Sequence, residues 1–550
     1  MEKILRHRVN AWCDQSKLQL SASSLPLLGI SDLEEARPRL WGQDILKSDS
    51  PSADPILLRG IFAIGKRGCD VVLTARKLSW SPILPETLGD ALRAEFQHKE
   101  EFVELKDVFS VKLKRRRSVG QQNEGTLLGI TIFICLRKGQ NKLKDSTINL
   151  NNLSEDHCNT WFKQIKEILN GFPNRPKSLK IIINPNSHKK EARRIYSEQV
   201  EPLFKLANIQ TDVTVTECKG HALSLLKECQ LQEFDGLVSV GGDGSTNEVV
   251  HGLLLRAQMD AGRDTDSTFV PVRAPLPLGL IPAGSIDVLA YSLYGTKHPA
   301  TAALHIIMGH LQPVDISTFS SHNRLLRFGF SSMFGFGGRA LALAERLRWM
   351  SSNQRREFAV IKTLANLKPE DCEVVFLPVN STDDCFSQAR RYQGSPESEC
   401  QDQWQSTKGH FLNISIMAIP SLCSMAPRGL APNIRLNDGF MSLVVARNTS
   451  RSEFLKHLKR YASVKNQFDF PFVETYTVKE VKVHQSTRSG STVKFEYMNS
   501  PTEEKYPWNV DGDLMETASE VHIRVHPQLI NLYGWNIEEL DESKANCSCI

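Results

Sequence analysis

The segment Val240-Gly241-Gly242-Asp243-Gly244-Ser245-Thr246-Asn247-Glu248 lies between an apolar run, FDGLVSV, and a helical pattern, TNEVVHGLLLRAQ. Two glycines before Asp243 and one after it permit positive φ and close backbone approach. The start of the following helix offers unpaired N–H groups and a positive dipole end, which suit an anion. A carboxylate held there can take the proton of a hydroxyl or hold a Mg2+ that bridges phosphates. The alternative is a tight strand-to-helix turn with Asp243 as an ordinary cap.

Three further turns carry similar chemistry. Ile281-Pro282-Ala283-Gly284-Ser285-Ile286-Asp287 is a second strand-to-helix turn with Gly, Ser and Asp. An apolar run ends in Asn184-Pro185-Asn186-Ser187, and near the C-terminus Trp508-Asn509-Val510-Asp511-Gly512-Asp513 places two carboxylates around a glycine. Taken singly, a turn of the second kind is more often a plain helix start.

The elements that must position these turns follow from periodicity. Residues 1–54 gather Ser, Pro and Asp towards SDSPSADP and read as a flexible leader. From 55 to 173, the runs ILLRGIFAIG, CDVVLTARKLSWSP, EFVELKDVFSVKLKR and LGITIFICLRK are strands, followed by one helix, SEDHCNTWFKQIKEILNGF. Ser154 is its N-cap, Trp161, Phe162, Ile165, Ile168 and Leu169 form its apolar stripe, and Gly171 and Pro173 end it. From 177 to 320, strands alternate with helices, the pattern of a parallel α/β layer. From 321 to 540 strands dominate, with a helix from ALALAERLRW onwards and polar inserts near 381–409 and 485–506.

Strands closed by a Trp-bearing helix resemble a pleckstrin-homology domain. GGDGS…E, PAGSxD, APRGLAP…DG and NxDGD, in this order, resemble the diacylglycerol/sphingosine/ceramide lipid kinases, and the domain in front narrows the resemblance to the ceramide kinase branch. The resemblance covers about residues 55 to 535. It implies a pleckstrin-homology-like β-barrel, an α/β nucleotide-binding catalytic domain of diacylglycerol-kinase type, and a C-terminal β-sandwich. It implies ATP and Mg2+ as cofactors if the chain is active. It makes Asp243 the base towards a lipid hydroxyl and places Asp287 close to the reacting centre. Nucleotide contacts are implied at Asn184, Ser187, Thr216, Gly241, Gly242, Asp243, Gly244, Ser245, Asp511 and Asp513. A lipid head group (ceramide, sphingoid or another) is expected near Arg339 and Glu345.

Two departures bear on activity. The family's first loop holds glycine, whereas Asn184-Pro185-Asn186-Ser187-His188-Lys189-Lys190 holds none, which restricts φ. Lys189 and Lys190 still attract phosphate, or Ser187 simply caps a helix. Active relatives carry acids where this chain has Arg339, Leu341 and Leu343, so that only Glu345 remains. Arginine reverses the local charge, and a site built for a hydroxyl or amide loses discrimination without its polar groups. Alternatively, Leu341, Leu343 and Leu347 extend the core face of a helix. The sequence thus favours a catalytically silent lipid- or nucleotide-binding regulator over an active ATP:lipid kinase. By resemblance it acts in sphingolipid signalling and protects cells from stress-induced apoptosis.

Composition bounds the rest. Sixty-seven basic and 62 acidic residues leave +5, too little for an obligate nucleic-acid binder. No run approaches the length of a membrane-spanning helix, and the start lacks the apolar core of a secretory signal. The 12 cysteines, without a CxxC pair, suit reduced buried thiols. The basic run Lys112-Leu113-Lys114-Arg115-Arg116-Arg117 reads as a nuclear localisation signal, as an attachment site for phosphoinositide or anionic lipid, or as a solvated strand end. Cytoplasm and nucleus, with peripheral contact to Golgi or endoplasmic-reticulum membranes, is the expected localisation. The last four residues fit C-a-a-X in form, although Ser548 and Cys549 are poor aliphatic positions.

Overall fold

The computed structural model describes residues 54–83, 101–116, 125–139, 141–187, 190–263, 269–347, 349–379, 403–463, 466–485, 506–517 and 519–535. Residues 1–53 of the leader and the C-terminal four residues lie outside them.

Seven antiparallel strands form the first domain: Ile56–Ile64, Arg67–Thr74, Lys77–Pro82, Glu101–Glu104, Val108–Arg116, Thr126–Arg137 and Leu143–Asn151. Their order is fourth–third–second–first–seventh–sixth–fifth. The seventh was not anticipated. LKDSTINLN has too few apolar residues to show a strand, because only Leu143 and Leu150 are buried. Helix Glu155–Asn170 closes the sheet; Ser154 Oγ accepts from His157 N, and Gly171 is the C-cap. Cys158, Trp161, Ile165 and Leu169 face inward, with Trp161 edge-on to Phe62 at 5.0 Å.

Four parallel strands follow, Ser178–Ile183, Gln210–Val215, Gly236–Gly241 and Leu278–Pro282, in the order second–first–third–fourth. The order reverses between the first and third strands. In open α/β sheets ligands bind at the carboxyl ends of the strands at such a switch point. The turns after both strands carry the sequence motifs.

The sheet does not stop at the fourth strand. Glu520–Tyr533 pairs parallel to it at Leu278↔Leu532 and antiparallel to both Leu311–Ser321 and Val473–Gln485. One C-terminal strand therefore splices the α/β layer to the β-rich domain. That domain is built around Phe319, Phe334, Phe376, Phe411, Trp508 and the aliphatic residues between them. The first polar insert is shorter than expected: strand Gln405–Met417 begins inside it and pairs with Glu370–Pro378. A helix at Arg451–Arg460, capped by Ser450, was also not anticipated.

The first domain is fused to the second rather than tethered. Phe109 and Leu143 belong to the same buried cluster as the parallel strands. Ser110 Oγ donates to Leu206 O at 2.6 Å, and Leu143 N donates to Thr301 Oγ1 at 3.1 Å. Among the described residues, no helix is long and apolar enough to cross a membrane. Cys69, Cys158, Cys372 and Cys423 are free and buried.

Candidate active site

Strand Gly236–Gly241 delivers the chain into helix Asp243–Asp260, with Gly242 as N-cap and its carbonyl accepting from Ser245 N and Thr246 N at 3.1 Å. The glycines work differently from the expectation: Gly241, Gly242 and Gly244 all avoid positive φ. Close approach is what demands them. A Cβ at Gly241 would meet Ser245 Cβ at 2.9 Å, and one at Gly284 would meet Gly242 Cα at 2.5 Å and Asp287 Oδ1 at 2.3 Å. The two turns thus press backbone on backbone, fastened by Ala283 N donating to Gly241 O at 2.9 Å. Gly244 alone faces open space, with nothing within 4 Å of an added Cβ.

Asp243 does not cap its own helix. Its Oδ1 accepts from Leu289 N at 3.2 Å, at the start of helix Val288–Tyr294. Burial raises its pKa, partly offset by the amides of Val288, Leu289 and Asp287 and by the Arg356 charge. Asp287 is 4% exposed and left-handed at φ 56°, a conformation that costs a non-glycine residue about 1 kcal/mol or more. Its Oδ2 accepts from Gly284 N at 3.2 Å. Burial, then repulsion from Asp243, pushes its pKa up to about 7. Two carboxylates that resist joint ionisation therefore sit at the switch point. The crevice between them, lined by Gly242, Asp243, Pro282 and Asp287, holds about 10 Å³, the scale of one water. A larger reactant must lie on the open side, over Gly244.

The first loop joins the same centre. Asn184 Nδ2 donates to Ser245 Oγ at 2.6 Å, and a Cβ at Gly241 would lie 3.3 Å from Ser187 Oγ. Lys190 reaches φ 73° without glycine, at a cost in strain, and its N–H donates to Ser187 O. Lys189 lies outside the described residues. Thr216 sits just past its strand, its N–H donating to Ile183 O at 2.8 Å. Asn184, Ser187, Thr216, Gly241 to Ser245 and Asp287 thus come together.

The C-terminal acids are held differently. Asp511 is buried, with Oδ1 accepting from Ser331 N at 2.8 Å and Ser331 Oγ at 2.9 Å, and Oδ2 from Phe330 N at 2.8 Å. Its carboxylate is committed to the protein, and burial still pushes its pKa up to about 6. Asp513 lies between Lys219 Nζ and Arg327 Nη1, each at 2.7 Å. Arg327 is itself buried, with Nε and Nη2 unpartnered. Asn247 Nδ2 donates to Asp511 O at 3.4 Å, which ties this turn to the GGDG helix.

Helix Phe336–Arg346 buries Phe336, Gly338, Ala340 and Ala344. Leu341, Leu343 and Leu347 are only half-buried, so they do not extend its core face. Glycine is required at 338, where a Cβ would lie 2.0 Å from Pro507 O. Arg339 turns to Glu370 and the Lys368 carbonyl, and burial lowers its pKa more than Glu370 raises it. Glu345 is half-buried on the same helix.

In the basic run, Lys112 Nζ donates to Asn208 Oδ1, Lys114 Nζ to Asn151 Oδ1 at 3.3 Å, and Arg115 to Glu155 at 2.8 Å. Arg116 pairs with Thr126 in the sheet, and Arg117 lies outside the described residues. The run is largely an edge strand, Val108–Arg116.

Sequence reasoning missed four cations around the acids. Arg356 Nη1 donates to Ser285 Oγ at 2.8 Å and Lys297 Nζ to Ser285 O at 3.1 Å; Arg327 and Lys219 hold Asp513. Only the abundance of Lys and Arg hinted at them. The open face at Gly244 adjoins a helix start and Ser245, a setting that suits a phosphate group. Among the described residues no group of three His, Cys, Asp or Glu could cage a metal. Mg2+ needs only one or two carboxylates beside phosphate oxygens and water, and Asp243 would supply one.

Strand order, paired turns and appended β-domain define the lipid-kinase architecture of diacylglycerol-kinase type. Three family models match: ceramide kinase PH domain over residues 58–165, diacylglycerol kinase catalytic domain over 178–319, and ceramide kinase C-terminal domain over 330–550. Human ceramide kinase-like protein is 64% identical over 516 residues, covering 89% of this chain and 92% of that protein. Human ceramide kinase is 34% identical over 423 residues, 70% of this chain and 78% of that one. A crystal structure of a diacylglycerol kinase from Bacillus anthracis str. Sterne covers 66% of this chain and 98% of its own at 14% identity, with a TM-score of 0.41. The chain belongs to the ceramide kinase family of lipid kinases.

Proposed function

We propose that this chain keeps the lipid-kinase fold without ceramide kinase activity and acts as a lipid- and nucleotide-binding regulator. Its setting is sphingolipid signalling and protection from stress-induced apoptosis, in cytoplasm and nucleus with peripheral contact to Golgi and endoplasmic-reticulum membranes. One observation carries the loss of ceramide chemistry: Arg339, on the helix where the family resemblance leads one to expect acids for the head group, is ion-paired to Glu370. Half-buried Leu341 and Leu343 beside it offer a lipid hydroxyl or amide no hydrogen bond. Asp513, held by two cations, is similarly costly to redirect towards a nucleotide. Trp349, Phe358 and Ile361, exposed on the segment that carries Arg356, support contact with a lipid surface.

The second reading is an active ATP:lipid kinase acting on ceramide or another lipid. It is favoured by Asp243, whose raised pKa suits a general base beside the open face at Gly244. In that reading Asp243 takes the proton of the lipid hydroxyl, and ATP with Mg2+ supplies the phosphoryl group. The experiment is transfer of labelled γ-phosphate from Mg-ATP to ceramides, sphingosine, diacylglycerol and acidic lipids, with Asp243→Asn as the blank. Signal equal to the blank with retained nucleotide binding is the expected result. Turnover above it on any lipid sinks the silent reading and names the substrate.

A further inference from the structure

A cavity of about 310 Å³ opens at the seam between the seven-stranded domain and the α/β domain. Neither the paired turns nor the C-terminal acids contribute to it. Its wall has two characters. Lys166, Arg175 and Lys177 line it together with apolar residues that include Phe109 and Ile307, and no Asp or Glu is among the lining residues. Lys112, the first residue of the basic run, stands at the same seam, bonded to the lining residue Asn208.

The lysines among these cations have no acid in an ion pair with them: among the described residues no carboxylate forms an ion pair with Lys112, Lys166 or Lys177. The nearby acids are otherwise engaged. Asp235 Oδ2 accepts from the backbone N–H groups of Lys177 and Ser178, and Asp107 acts on Arg175. Arg175 is held rigidly, donating at 2.6 Å to the carbonyls of Val108 and Lys106 and stacking on Phe172 at 4.2 Å. Burial, then repulsion from Lys166, holds the Lys112 pKa below the ordinary lysine value.

We propose that this seam binds a phosphomonoester, its phosphate held by Lys166, Arg175 and Lys177 and its carbon portion lying along Phe109 and Ile307. A phosphomonoester carries close to two negative charges near neutral pH and three acceptor oxygens, which match three cations lining one cavity. The ester is either free in solution or the head group of a phosphorylated lipid. Because the wall comes from both domains, the bound ester would fasten them together. The site stands on its own wall and charges, whether or not the paired turns transfer phosphate.

The test uses the full chain in two arms. Equilibrium dialysis with labelled glycerophosphate reads the free ester. Co-sedimentation with phosphatidylcholine vesicles, with and without phosphatidic acid, reads the lipid-borne one. The variant Lys166→Glu/Lys177→Glu changes two exposed side chains, so the fold is expected to survive, as circular dichroism and Tm will check. Lys163→Glu, exposed on the same helix, is the charge control. Binding in either arm, weakened at least tenfold in the double variant and less than twofold in the control, is the expected result. Binding to vesicles alone identifies a lipid head group, and binding in both arms admits the free ester. No binding in either arm, or equal loss in double variant and control, overturns the proposal.

Discussion

Two regions of this chain place carboxylates beside glycine in tight turns, and the protein treats them in opposite ways. At the paired turns, Asp243 and Asp287 are crowded together and both pKa values rise. At the C-terminal turn, Asp511 is saturated by amides and a hydroxyl while Asp513 is spanned by two cations. The first arrangement leaves charge unsatisfied where a reactant or a cation would approach. The second holds the Asp513 charge in ion pairs, one inside the β-rich domain and one to Lys219 of the α/β domain, while the Asp511 carbonyl bonds the GGDG helix through Asn247. Matching residue types at matching turns therefore do not have matching availability.

The largest expected effect comes from breaking the first region. Gly284→Ala would force a Cβ to within 2.5 Å of Gly242 Cα; stability should fall by about 3 kcal/mol or more, read as a drop in denaturation midpoint. In the second region, Asp513→Asn leaves the buried Arg327 without its carboxylate and is expected to cost about 3 kcal/mol in the same measurement. Lys219 is 69% exposed, so Lys219→Ala should cost less than about 1 kcal/mol. A finding that Lys219 matters as much as Asp513 would mean that the link across to the α/β domain, and not the buried pair with Arg327, carries the stability.

Asp287→Asn sharpens the contrast through pH. The folded pKa of Asp287 is raised from 3.8 to about 7, so the native chain keeps the proton longer than the unfolded one. Its stabilising effect is therefore fully present below the unfolded value and is lost as pH climbs to the folded one. Asparagine tolerates the left-handed backbone. The variant should gain on the order of 1 kcal/mol or more over the parent at pH ~8 and lose that advantage near pH ~4, as thermal melts across pH would show. Gly244→Ala is the mildest change. With nothing within 4 Å, stability should shift by less than about 1 kcal/mol. Nucleotide affinity should fall if phosphate lies over that face, which titration with Mg-ATP will measure.

Much of the fold was legible in the chain. Alternating strands and helices with an apolar core, such as FDGLVSV and LPLGLIP, announce themselves by periodicity. Ser154 as a cap and Trp161 in an inward stripe follow from spacing alone. Leu143–Asn151 escaped because most of its residues face away from the core. Arg451–Arg460 escaped because only Phe454 and His457 are buried. At the site, the turns and their acids were legible, but Arg356, Lys297 and Arg327 were not. A single cation far along the chain carries no local pattern.

The sequence alone determined most of the strands and helices, where the turns with Gly and Asp fall, and that Glu345 is the one acid within helix 336–346. Those properties depend on neighbours a few residues apart. Tertiary structure decided which acids remain available. Lys219 meets Asp513 across 294 residues and Asp243 meets Leu289 N across 46. It also brought the edge strand Val108–Arg116 against the α/β domain, turning Lys112 from one residue of a basic run into an interdomain contact with Asn208. Burial and charge pairing are sums over everything near a group in space, and proximity in space is what a local reading of the chain does not contain.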